Sequence, residues 1–155
     1  MMFGTHLVFG TVLYTGAAAA LTLPTGPEAL GAAAIGSLLP DIDHPKSYFG
    51  QRFRIVSVPL AGLVGHRGVT HSALAVLVCA LFAAGVVGGT PVVVTALALG
   101  YLSHLVGDWM TTTGIPLLWP RRTRYKAPVT FRTGSAAETL LFVALTATLG
   151  YVYVW

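Results

Sequence analysis

Apolar residues in this chain run in blocks instead of alternating with polar ones, from about residue 6 to 23, 28 to 40, 69 to 88, 91 to 110 and 135 to 155. A helix crossing a bilayer needs roughly 20 such residues, so the second block is too short for a comfortable span. Its core, Leu30-Gly31-Ala32-Ala33-Ala34-Ile35-Gly36-Ser37, consists mainly of small side chains that let helices approach closely, which predicts a buried or tilted helix inside a bundle. Pro24-Thr25-Gly26-Pro27 and Gly88-Gly89-Thr90-Pro91 are tight-turn signals that make antiparallel hairpins of blocks one and two and of blocks three and four. Two longer connections remain. One runs from Asp41 to about Arg67 and contains a semi-apolar stretch, Phe53 to Val64, broken by Pro59 and suited to a helix lying at the interface. The other runs from Thr111 to about Gly134.

Composition turns this pattern into a fold class. The chain is 55% hydrophobic and 9% charged, with a mean hydropathy of +0.76, too apolar and too continuous for a soluble core. The expectation is a single domain over 1–155, an all-α polytopic membrane bundle of about four to five hydrophobic helices. The first block follows His6 instead of a basic region and lacks an Ala-x-Ala cleavage pattern, so it is expected to stay in the mature protein. The single Cys79 excludes a disulfide framework or a cysteine-based zinc site within one chain. A net charge of +4 raises nucleic acid as a partner. The basic cluster Arg121-Arg122-x-Arg124-x-Lys126 has no interleaved stacking aromatics, however, so no stable nucleic-acid partner is expected and the cluster reads as an anchor on anionic lipid headgroups.

The scarce polar residues are not scattered. Every histidine and aspartate falls in one of four clusters: His6, Asp41-Ile42-Asp43-His44, His66-Arg67-Gly68-Val69-Thr70-His71, and His104 with Asp108. If five helices alternate in direction, all four clusters, together with Glu138 at the start of the last block, reach one membrane face. All nine basic residues lie in the two loops of that face and none in the opposite turns, so the positive-inside rule predicts a cytoplasmic site and amino terminus in the inner membrane. The carboxyl-terminal Tyr151, Tyr153 and Trp155 suit an aromatic belt on the other side.

Chemistry follows from residue type and spacing. His104 and Asp108, at i and i+4, share one helix face, and an ionisable pair inside an apolar segment is by default a functional-site candidate. Pro40 and Pro45 bracket Asp41, Asp43 and His44 and predict an extended or turn-like backbone just past a helix. Two histidines, His66 and His71, flank a helix start, where Thr70 is equally suited to capping and to the site, and Arg67 offers a planar fork to phosphate oxygens. Glu138 can complement a helix dipole or act as ligand or base, and Thr111 to Gly114 can support the site or end the helix. Aspartates left unpaired at bilayer depth cost on the order of several kcal/mol, a penalty that divalent cations remove. Carboxylates mixed with imidazoles suit zinc, manganese or iron, and more donors are present than one tetrahedral ion needs.

At these motifs the sequence resembles the YdjM-type family of bacterial and archaeal inner-membrane, metal-dependent hydrolases: His6, Leu-Leu-Pro-Asp-Ile-Asp-His-Pro with Asp41, Asp43 and His44, His-Arg-Gly-x-Thr-His-Ser with His66 and His71, and His104-x-x-x-Asp108. That family is in turn distantly similar to zinc-dependent phospholipase C and the fungal single-strand nucleases. The secreted enzymes use a freed amino terminus as a ligand, for which Met1-Met2-Phe3 shows no cleavage site. The resemblance implies two or three divalent ions per chain, zinc or manganese, held by His6, Asp41, Asp43, His66, His71, His104 and Asp108. It implies hydrolysis of a phosphoester, a phospholipid or other lipid-linked phosphate among membrane lipids. In that reaction Arg67 and Lys46 would steady the phosphate, and His44 or Glu138 would carry the proton. The alternative in another class is a divalent-cation transporter or sensor using the same cluster; a metal-stabilised scaffold without turnover is a third.

Overall fold

The computed structural model describes residues 1–64 and 68–154. Among them the chain is all-helical, with seven α-helices: α1 (Phe3–Leu21), α2 (Pro27–Gly36), α3 (Tyr48–Arg52), α4 (Arg54–Val64), α5 (Ala73–Gly85), α6 (Pro91–Trp109) and α7 (Ala136–Val154). Two 3-10 turns, Leu39–Asp43 and Val69–His71, precede α3 and α5. There are no strands among the described residues, only isolated bridges that fold the 110–135 loop over the end of α6.

Three helices, α1, α6 and α7, have the length and apolarity of membrane spans. The third apolar block yields only the 13 residues of α5, because its first residues form a 3-10 turn and Ser72 caps the helix by accepting from the Ala75 amide. The block of apolar residues is thus longer than the helix cut from it.

Helix α2 lies where its small residues allow, against α6 and α1. Tyr14, Ala18, Ala29, Ala32, Ala33 and Ala96 form the core of this seam. Backbones touch here: a Cβ placed on Gly100 of α6 would stand 2.0 Å from the Ala33 carbonyl oxygen of α2, and one on Gly36 would stand 2.2 Å from that of Leu97. By contrast α7 touches α1 and leaves most of its surface open, with Leu140 and Val143 exposed, as lipid-facing helices do. At its far end Tyr151 and Tyr153 are exposed; Trp155 lies outside the described residues.

Helix α4 carries an inverted pattern. Ser57 is buried and donates to the Gly50 carbonyl at 2.7 Å, while Ile55, Val56 and Val58 point outward, with Ile55 93% exposed. An exposed apolar face that follows Arg52 and Arg54 fits a helix lying in a headgroup layer.

Candidate metal centre

Each helix end that the apolar blocks bring to one layer delivers a polar side chain. His6 comes from the first turns of α1, Asp41 and Asp43 from the 3-10 turn after α2, His71 from the 3-10 turn before α5, and His104 and Asp108 from the last turns of α6. His6, Asp43, His71, His104 and Asp108 are buried. Asp41 is the partial exception, its side chain 24% exposed.

The donor atoms converge. His71 Nε2 and His104 Nε2 stand 3.3 Å apart. Asp41 Oδ1 is 3.8 Å from the first and 3.7 Å from the second, and Asp108 Oδ2 is 3.6 and 3.8 Å from them. A tetrahedral zinc ion with ligands at 2.0–2.1 Å separates them by about 3.3 Å, so the Asp41, His71 and His104 atoms are spaced to within about half an ångström of that requirement, while Asp108 Oδ2 faces both rings. A second group adjoins it. The His6 ring stacks on that of His104 with centroids 3.6 Å apart and planes at 7°, and His6 Nε2 is 3.4 Å from the other oxygen of Asp108. Neither His6 ring nitrogen has a hydrogen-bond partner among the described residues, although the ring is 1% exposed. Buried imidazoles ordinarily find partners, so donors of this type in this spacing fit divalent cations, with His104 common to both groups.

Supporting contacts fix these rings. His104 Nδ1 donates to the Ser37 carbonyl at 2.7 Å, leaving Nε2 to face the cluster. On the far side of His71, Asp43 Oδ2 lies 3.6 Å from Nδ1 and also accepts the Thr70 hydroxyl. Tyr101 of α6 donates to the Thr70 carbonyl at 2.7 Å and pins this turn. Burial disfavours a charged His71, but its contacts with Asp108 and Asp43 outweigh it and shift the imidazole upward from its ordinary value. The site favours positive charge. Asp43→Asn is therefore expected to keep the fold and lower zinc affinity about 10- to 100-fold, the usual effect of losing such an orienting carboxylate, as measured by competition with a chromogenic chelator.

The remaining sequence candidates fall elsewhere. His44, partly exposed, follows the first 3-10 turn and lines a cleft that opens at Asp41. Glu138 is buried, but its two oxygens accept from the Met2 and Gly134 amides, tying the start of α7 to the start of α1. Thr70 faces Asp43 while Ser72 does the capping, and Thr111 bonds the Asp108 carbonyl, closing the helix end instead of touching the carboxylate. His66 and Arg67 lie outside the described residues. The Met1 amino group, set aside in the sequence because Met1-Met2-Phe3 shows no cleavage site, donates to Asp108 Oδ1; the amino-terminal ligand of the distantly similar secreted enzymes was the available signal.

The family model described as YdjM inner membrane protein matches residues 1–155. The chain is 47% identical over 113 residues to the inner membrane protein YdjM of Escherichia coli (strain K12), a match covering 70% of this chain and 58% of that relative, and equally to the protein of that name from Shigella flexneri. The match therefore spans little more than half the length of these relatives. It is 34% identical over 150 residues to the uncharacterized protein YvsG of Bacillus subtilis (strain 168), covering 96% of this chain and 92% of the other. No solved structure matches. By these matches, the chain belongs to the YdjM family of inner membrane proteins.

Proposed function

We propose that this chain is a metal-dependent hydrolase that cleaves a phosphoester, a phospholipid or other lipid-linked phosphate, at the cytoplasmic leaflet of the inner membrane. The observation that carries this reading is the convergence of two sets of three donors that share His104, one of Asp41, His71 and His104 and the other of His6, His104 and Asp108, beside a cleft that Asp41 lines. Zinc or manganese bound there would supply Lewis acidity toward a phosphoryl oxygen and would lower the pKa of water at the site.

The protein's own groups set the terms of that chemistry. Asp41, His71 and His104 would hold a first ion, and His6, His104 and Asp108 a second. Asp43 and the Ser37 carbonyl keep the rings aimed inward. The apolar walls around Leu105 and Ile115 keep bulk water from the buried side. His44, on the cleft rim, is within reach of a proton leaving or arriving there, whereas the Glu138 oxygens are already engaged by backbone amides. Arg67 and His66 keep their assignments to phosphate and metal on sequence alone. Lys46, Arg52 and Arg54, and the exposed Arg121, Arg122, Arg124 and Lys126, lie in the two long connections that adjoin the cluster-bearing helix ends, a charge bias that supports a cytoplasmic orientation.

Protein purified in detergent is expected to carry zinc or manganese by elemental analysis and to hydrolyse a phosphodiester or phospholipid, with both properties lost in His71→Ala. Full activity in that variant would remove the hydrolase assignment. Metal flux into proteoliposomes, abolished by His104→Ala, would put a transporter in its place.

A further inference from the structure

The cleft beside Asp41 is lined by residues of two unlike kinds. Its volume is about 300 Å³, at the small end for ligand sites, enough for a phosphoryl group and a short substituent but not for a whole lipid. His44 and Lys46 line it together with Asp41 of the candidate metal centre, and among the described residues Lys46 has no ion-pair partner. Phe3, Tyr48 and Phe49 line it as well and form an aromatic strip, with the Phe3 and Tyr48 rings 4.8 Å apart and the Tyr48 and Phe49 rings 6.4 Å apart. Tyr48 is 69% and Phe3 41% exposed, so the strip continues outward from the cleft to the surface. A cation beside the cluster and an apolar track leading away from it are complementary to one kind of molecule.

We infer that this cleft is a subsite for an amphiphilic phosphoester, with Lys46 pairing with a phosphoryl oxygen and the strip of Phe3, Tyr48 and Phe49 receiving the first carbons of the apolar chain. This deepens the hydrolase reading and rests on it for the reaction, though not for the binding. The bilayer supplies the continuation of the chain, because Phe3 starts a membrane-spanning helix and Tyr48 starts the segment that leads into the outward-facing apolar residues of α4. The cleft is an edge of the membrane surface, entered from the side.

The test is calorimetric titration of the zinc-loaded full chain in a nonionic detergent with three non-hydrolysable probes: inorganic phosphate, methylphosphonate and dodecylphosphonate. Partition of the long probe into micelles is common to all variants, so ratios between variants report the cleft. Lys46→Gln is expected to weaken dodecylphosphonate binding about tenfold, the effect of losing one charge-assisted hydrogen bond, with Lys46→Arg retaining it. Tyr48→Ala should weaken dodecylphosphonate and leave methylphosphonate as it was; unchanged zinc content in each variant verifies the fold. Wild-type binding of dodecylphosphonate by both Lys46→Gln and Tyr48→Ala would overturn the inference. So would inorganic phosphate binding as tightly as the long probe, which would make this a site for the free anion. If the binding pattern holds but no phosphoester is hydrolysed, the subsite stands and the hydrolase reading falls; hydrolysis without the pattern means the reverse.

Discussion

Replacing Asp108 with alanine is expected to empty the metal centre, abolish hydrolysis and destabilise the protein by about 3–5 kcal/mol, the range for removing one partner from a buried charged set. No other side chain in the cluster is asked to do as much. One oxygen accepts from the Met1 amine and faces His6, while the other faces His71 and His104. Without the carboxylate, an amine and three imidazoles are left crowded in a space where Asp41 and Asp43 are the remaining acids. The check is thermal unfolding in detergent, with and without a chelator, alongside elemental analysis. Wild-type protein should lose stability when chelated, since a ligand present at a thousandfold excess over its dissociation constant contributes about 4 kcal/mol. Asp108→Ala should already be at the lower value and insensitive to chelator. Asp108→Asn, which keeps the shape without the charge, should also lack metal but unfold at a higher temperature than the alanine variant. A full metal complement in Asp108→Ala would mean that the cluster is not where metal binds.

Much of this centre was legible in the sequence, for a topological reason. His6, Asp41, His71, His104 and Asp108 each sit within a few residues of a point where an apolar block begins or ends, and stacking such blocks side by side collects their ends. What the sequence left open were matters of a single turn. An extended backbone at Asp41 and Asp43 would send both side chains to the same face. The structure has a 3-10 turn there, in which residues two apart differ by about 240°; one carboxylate thereby reaches the Nε2 side of His71 and the other its Nδ1 side. The capping contest between Thr70 and Ser72 is likewise decided by where the 3-10 turn hands over to α5, which no pattern of apolar residues marks. Glu138 looked like a site acid because of its layer; its partners, the Met2 and Gly134 amides, are set by how α7 lies on α1, and that packing leaves no periodic trace. The length of the third block misled in another way, since apolar composition cannot distinguish residues inside a helix from those in the turn before it.

Gly100→Val is expected to cost at least about 3 kcal/mol and to reduce metal content, because it would force apart the two helices that aim His104. At Gly100 a Cβ would lie 2.0 Å from a backbone oxygen of α2, and backbone cannot yield as a flexible side chain can. The reciprocal contact of Gly36 with the Leu97 carbonyl means that both helices lack side chains on the same seam, so neither can relieve the other. Only one turn further along, His104 Nδ1 donates to the Ser37 carbonyl of the segment that follows α2. Moving α6 away by the width of an isopropyl group breaks that bond and releases the ring whose Nε2 faces the candidate metal site. Stability and metal binding should therefore fall together, as read by thermal unfolding and elemental analysis of the same preparation. Gly31 provides the contrast: it lies on the same short helix, but a Cβ there meets nothing within 4 Å. Gly31→Ala is expected to be neutral or to stabilise by up to about 1 kcal/mol through helix propensity alone. If Gly100→Val unfolds at the same temperature as Gly31→Ala and keeps its metal, close backbone packing between α2 and α6 is not what holds the site.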